Sequence, residues 1–193
     1  MDTLLSKVSP NAVNMIRMDH THVLATFHKY DKDTPTRIKL ALVDNICLAL
    51  EIHAQLEEEI FYPALRAVTT DNEVLDKAKP QHDEMRRVIG ELRSMQPGDQ
   101  AYDDKVMELM RDVMHHVADE ETVLLPEAER LLANRLDEMG VEMTKRRLQL
   151  AGPRAGELAA NTIKAMSTTT MVLAAGGLLA GSYVLRRAFA RSH

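Results

Sequence analysis

The chain has no tryptophan, 4% aromatic residues and one cysteine in 193 residues. The single Cys47 rules out an internal disulfide and is compatible with a reducing compartment. It sits off the face of the helix that carries His53, so it reads as a small buried hydrophobe. Only 8 glycines and 7 prolines are available to interrupt helices. Methionine takes the opposite course: 12 residues, the flexible filler of many helical cores. An excess of basic charge is lacking too, and the net charge of −5 gives no reason to expect nucleic acid binding. The opening MDTLLSKVSPNAV has no basic start followed by an apolar run, so no secretory signal is visible. Length suits one domain with an appendage. A content of 45% hydrophobic and 27% charged residues is that of a folded helical bundle.

What is present is a stretch that occurs twice. Residues 53–63 read HAQLEEEIFYP and residues 116–126 read HVADEETVLLP, 63 positions apart. Each has a histidine, a glutamate four residues on, further acidic and apolar positions, and a proline ten residues after the histidine. Another histidine precedes each copy: His20 lies 33 before His53, and His82 lies 34 before His116. Residues four apart on a helix share one face, so His53 with Glu57 and His116 with Glu120 each aim an imidazole and a carboxylate at one point. The choice of Glu57 over Glu58, and of Glu120 over Glu121, rests on that spacing alone.

The apolar pattern places these groups inside. Leu42, Ile46, Ala49, Leu56 and Ile60 share the face of His53, and Leu109, Val113 and Val123 that of His116. His20 lies between Ile16 and Leu24, and His82 between Leu75 and Met85. A lone buried histidine is usually a hydrogen-bonded core residue. Four of them with two carboxylates are costly to bury unless they are paired or bind metal. Their composition is that of a dinuclear metal centre in a helical bundle, and imidazole with carboxylate suits iron, with zinc or manganese as alternatives. His22, two positions from His20, faces away, His28 lies two turns further along the helix, and His115 is one step, about 100°, from His116.

At these residues the sequence resembles the hemerythrin-like HHE cation-binding family, with its H…HxxxE…H…HxxxE pattern, over roughly residues 12–140. The resemblance implies an all-α, antiparallel four-helix bundle holding two iron ions. His20, His53, His82 and His116 would be terminal ligands, and Glu57 and Glu120 would bridge. Oxygen-carrying hemerythrins add a fifth histidine one turn along the third helix, where this chain has Ala78 and Arg86. That position is left open to water or filled by a neighbouring oxygen donor such as Tyr62. Reaction with dioxygen, nitric oxide or hydrogen peroxide, in oxidative or nitrosative stress defence, is therefore expected over reversible oxygen carriage. The alternatives are a sensing or binding module, or iron storage and delivery.

Helices are expected over about residues 11–30, 35–61, 71–95 and 102–125, with interruptions at Pro63, Pro80 and Pro126. Helical pattern resumes to Met139, Gly140 reads as a break, and Lys145, Arg146 and Arg147 read as a solvated basic face. The bundle domain is assigned to 1–150 and a linker to 151–164. Residues 165–185 carry no charge and match the length of a bilayer span, with Gly177 and Gly181 spaced for close helix approach and a basic tail after them. This C-terminal helical extension is read as an anchor holding a cytoplasmic bundle to the membrane. The alternative is a helix packed on the bundle or on another subunit of a homo-oligomer.

Overall fold

A computed structural model describes residues 9–156 and 160–161, and among these every regular element is helical. The elements are α1 (Ala12–Phe27), α2 (Thr36–Leu56), α3 (Tyr62–Arg66), α4 (Glu73–Ser94), α5 (Gln100–Asp119), α6 (Leu125–Leu131) and α7 (Leu136–Ala151). Two short π turns, Glu57–Phe61 and Glu120–Leu124, join α2 to α3 and α5 to α6 without a break. The described residues therefore fold as five helical rods. Four form an antiparallel bundle in which α1 neighbours α2 and α4 neighbours α5, and the fifth, α7, lies against α1 and α2.

Local chemistry sets most of the boundaries. Asn11 caps α1, its side-chain oxygen accepting from the Asn14 N–H at 2.8 Å. Pro35 precedes α2, and the Asp71 carboxylate accepts from the Glu73 N–H at 3.0 Å to open α4. Pro80 does not interrupt α4, which runs through it to Ser94. The ring faces solvent, and the donor it lacks would have served Asp76, which is also exposed.

The π turns answer for the other two prolines. In an α-helix the rings of Pro63 and Pro126 would press on the carbonyl four residues back. Here the Tyr62 N–H reaches back five residues to the Glu57 carbonyl, and the Leu125 N–H reaches the Glu120 carbonyl. Such turns are rare and tend to sit at functional sites. Each adds a residue to the repeat, so the face after the motif shifts by one. Val123, seven after His116 and expected inside, is 40% exposed, and Leu124 is buried at 1% in its place.

The second half of the chain corrects two expectations. Gly140 lies within α7 and packs on Pro10 and Asn11. It is a point of close approach instead of a break. The basic cluster is not simply a solvated face: Arg146 pairs with Glu59, and Arg147 with Asp19. The uncharged span 165–185 lies outside the described residues, and among those described no helix is long and apolar enough to cross a membrane.

The apolar core falls into two clusters. One gathers Ile16, Leu56, Phe61, Ala78, Leu124 and Met139, and the other Val23, Ile46, Leu50, Met85, Ile89 and Val113. Along each long rod the divide falls at the histidine. Ile16 and Val23 flank His20, Leu50 and Leu56 flank His53, Ala78 and Met85 flank His82, and Val113 and Leu124 flank the His116–Glu120 pair. A buried polar layer crosses the bundle at that level.

Candidate metal centre

All six residues singled out in the sequence meet in this layer, and Glu57, Glu120 and His82 are fully buried. His20 and His53 group with both glutamates, while His82 and His116 group with Glu57; in each group one donor atom per residue lies within 4.8 Å of the others. The four Nε2 atoms converge on the two carboxylates. His20 Nε2 is 3.0 Å and His116 Nε2 3.4 Å from Glu120 Oε2, and His53 Nε2 is 3.2 Å and His82 Nε2 3.3 Å from Glu57 Oε2. His22, His28 and His115 are exposed, away from the layer.

Every Nδ1 is engaged on the outside. His53 Nδ1 meets Asp19 at 3.3 Å, His82 Nδ1 meets Glu58 at 3.0 Å, His116 Nδ1 meets the Gln81 carboxamide oxygen at 2.9 Å, and His20 Nδ1 meets Glu121 at 2.8 Å. Each clamp comes from the neighbouring rod, so the four contacts form a closed ring around the bundle. Behind three clamps stands an arginine: Arg147 on Asp19, Arg86 on Glu58 and Arg17 on Glu121. Behind Gln81 stands Asp119, accepting from its amide at 2.9 Å. An outer acceptor on Nδ1–H fixes the tautomer and turns Nε2 inward as a free donor, the arrangement of metal-binding histidines.

Tyr62 joins the layer from the first motif. Its hydroxyl donates to Glu120 Oε1 at 2.8 Å and lies 3.2 Å from Glu57 and 3.4 Å from His82 Nε2, with its ring stacked on His82. The equivalent position in the second motif is Leu125, so the two halves differ here.

The electrostatics show a layer under stress. Burial disfavours the imidazolium form of His20, yet the Glu120 carboxylate outweighs it and pushes His20 up to about 9. Burial is likewise overcome at His82 by Glu57 and Glu58, again to about 9. His116 goes the other way, to about 3, through burial and repulsion from the neighbouring imidazoles, although Glu120 opposes this. Burial and the facing Glu120 push the Glu57 carboxyl up. Burial and both carboxylates raise the Tyr62 phenol, which stays protonated.

Among the described residues, the buried side-chain atoms without a hydrogen-bond partner include His53 Nε2 and Glu57 Oε1, and both face this layer. Buried polar groups are nearly always satisfied. Imidazole nitrogens aimed inward, carboxylates between them and unpartnered donor atoms fit bound cations. A third group of carboxylates, Glu84, Glu108 and Asp112, lies at the surface, where Arg87 pairs with the two glutamates.

The model of the hemerythrin HHE cation binding domain matches residues 11–128. The chain belongs to this family. The match spans all six layer residues and ends just after Pro126. Domains of this family bind metal ions, and the clusters here supply the donors. A crystal structure of an HHE cation binding domain-containing protein from Mycobacterium kansasii superposes with a TM-score of 0.65 at 20% identity, covering 81% of this chain and 99% of that one. It shows a shared fold. A protein from Nostoc sp. described as a DNA nickase is 29% identical over 118 residues, which is 61% of this chain. The matched region spans 33% of the length of that protein.

Sequence reasoning found the inner residues of this HHE domain and missed most of the outer ones. The spacing offers Glu58 and Glu121 only as alternatives to Glu57 and Glu120, and the structure puts them on Nδ1 of histidines in the next rod. Helical periodicity does not single out Asp19 or Gln81. A signal was there: each clamp is adjacent in sequence to an inner residue, and Glu58 recurs as Glu121 at the 63-residue spacing of the repeat, although Asp19 has Gln81 as its counterpart.

Proposed function

We propose that the chain is a non-haem di-iron protein that reacts with a small oxidant: dioxygen, nitric oxide or hydrogen peroxide. The observation that carries this reading is the convergence of four Nε2 atoms on two buried carboxylates while every Nδ1 is held from outside. His20 and His53 would hold one iron, His82 and His116 the other, and Glu57 and Glu120 would bridge them. Iron in such a nitrogen and oxygen donor set supplies one-electron redox chemistry and binding of small diatomic or peroxide ligands.

The chain's own residues favour reaction over reversible carriage. Ala78 and Arg86 stand one turn either side of His82, so α4 offers no second histidine. The Tyr62 hydroxyl instead approaches His82 and both carboxylates. It remains protonated, so it serves as a proton donor beside His82; only with that proton lost would its oxygen be an additional ligand for the His82–His116 side. The two apolar clusters above and below the layer limit access of bulk water.

The test is elemental analysis of the full-length chain made with ample iron, followed by optical spectra on adding dioxygen, nitric oxide or hydrogen peroxide. Two irons per chain, with spectral change and consumption of the oxidant, are expected. One metal or none, or two irons inert to all three, would reject the reading.

A further inference from the structure

The ring of outer clamps has a near two-fold symmetry with one exception. The repeat pairs Glu58 with Glu121, both carboxylates backed by arginine. It also pairs Asp19 with Gln81, and here the chemistry differs. Asp19 is a carboxylate backed by Arg147, whereas Gln81 is a neutral carboxamide that passes its own N–H to Asp119. Thus both histidines of the His20–His53 half have a carboxylate on Nδ1. In the His82–His116 half only His82 does.

A carboxylate accepting the Nδ1–H raises the basicity of the opposite nitrogen as a metal ligand, and a neutral amide does so less. The charge of Asp119 lies one residue further out, beyond the amide. We propose that the two metal positions are inequivalent, with Gln81 as the positioning residue that sets the difference. Metal fills the His20–His53 position first, and the His82–His116 position binds second and more weakly. The inference rests on the dinuclear reading above. It makes the weaker position the one beside Tyr62.

The experiment is an anaerobic titration of the metal-stripped full-length protein with cobalt(II), followed by its visible bands and by calorimetry. Two resolved steps are expected, the second about tenfold weaker, the scale on which outer partners tune metal affinity. His116→Ala should keep the tight step and lose the weak one, and His53→Ala the reverse. Because a carboxylate at 81 would face Asp119, Gln81→Glu is combined with Asp119→Asn, whose amide donates to it. This double variant should tighten the second step by about tenfold, and Asp19→Asn should weaken the first by a similar factor. Helix content and melting temperature of the metal-free forms control for folding. A single step filling two equal positions, or a ratio of the two affinities unmoved by the double variant, overturns the inference and leaves the metal reading standing. Failure to bind cobalt(II) or iron(II) at all overturns both.

Discussion

Gly140 lies so close to Pro10 that a Cβ on the glycine would sit 2.1 Å from the Pro10 carbonyl oxygen and 2.8 Å from the Asn11 Cα. The contact seats α7 against the start of α1. The same helix then delivers Arg147 to Asp19, one nitrogen at 2.8 Å, and Asp19 holds His53. A packing contact at one end of α7 thereby supports a polar contact at the metal layer.

Gly140→Ala must push α7 away from a backbone that cannot yield. The expected loss is about 1–3 kcal/mol or more, the usual scale of overpacking. For a chain of this size each kcal/mol moves the melting temperature by roughly 2–4 °C. Thermal unfolding followed by circular dichroism measures it, and an unchanged melting temperature would contradict the contact.

The histidines divide into two sets with opposite expectations. His53→Ala and His116→Ala, inside the layer, should lose much of the bound metal and lower the melting temperature of the loaded protein. His22→Ala and His115→Ala, both exposed, should do neither. Metal content by elemental analysis beside melting curves reads both. Equal behaviour of all four would disprove the assignment of faces.

Tyr62→Phe removes the hydroxyl and keeps the ring stacked on His82. The variant should fold and hold metal, while consumption of hydrogen peroxide slows by roughly 10²-fold, the low end for a positioned proton donor. Peroxide loss per mole of iron measures this. A wild-type rate would remove Tyr62 from the chemistry.

The pH dependence follows from His20, His82 and His116. With His20 and His82 pushed up to about 9, the folded apoprotein binds more protons than the unfolded chain between about 6.5 and 9, and its stability falls as pH rises through that window. His116, held at about 3, makes the unfolded chain the better proton binder between about 3 and 6.5, so stability falls as pH drops there. Melting temperature of the apoprotein should peak near neutrality. Metal requires neutral imidazoles, so its affinity should climb from pH 6.5 to 9 with release of protons. A flat apoprotein profile across that range would contradict the coupling of His20 to Glu120 and of His82 to Glu57.

The uncharged span 165–185 carries a sequence-based prediction of its own. The full-length chain should stay with membranes through carbonate extraction, and truncation after about Gly156 should release a metal-loaded bundle. Release of the full-length chain into the wash would reject an anchor.

The sequence alone determined the helical class, the bundle and the six inner residues of the layer. The reason is periodicity: groups four apart share a helix face, the pattern repeats after 63 residues, and the surrounding apolar positions say that the face is buried. Tertiary structure decided what lies one step around each helix. Asp19, Glu58, Gln81 and Glu121 each adjoin an inner residue, about 100° off its direction, so along their own helix they look like surface. Only the packing of the next rod brings a histidine Nδ1 within reach of them. The same holds for Arg147, whose basic neighbourhood reads as solvated until α7 folds back on α1. The π turns also escaped, because a run of residues before a proline says that an α-helix must adjust there and not how. Contacts within one helix are written at fixed spacings in the chain, whereas contacts between rods depend on which faces meet, and that is settled only when the whole bundle closes.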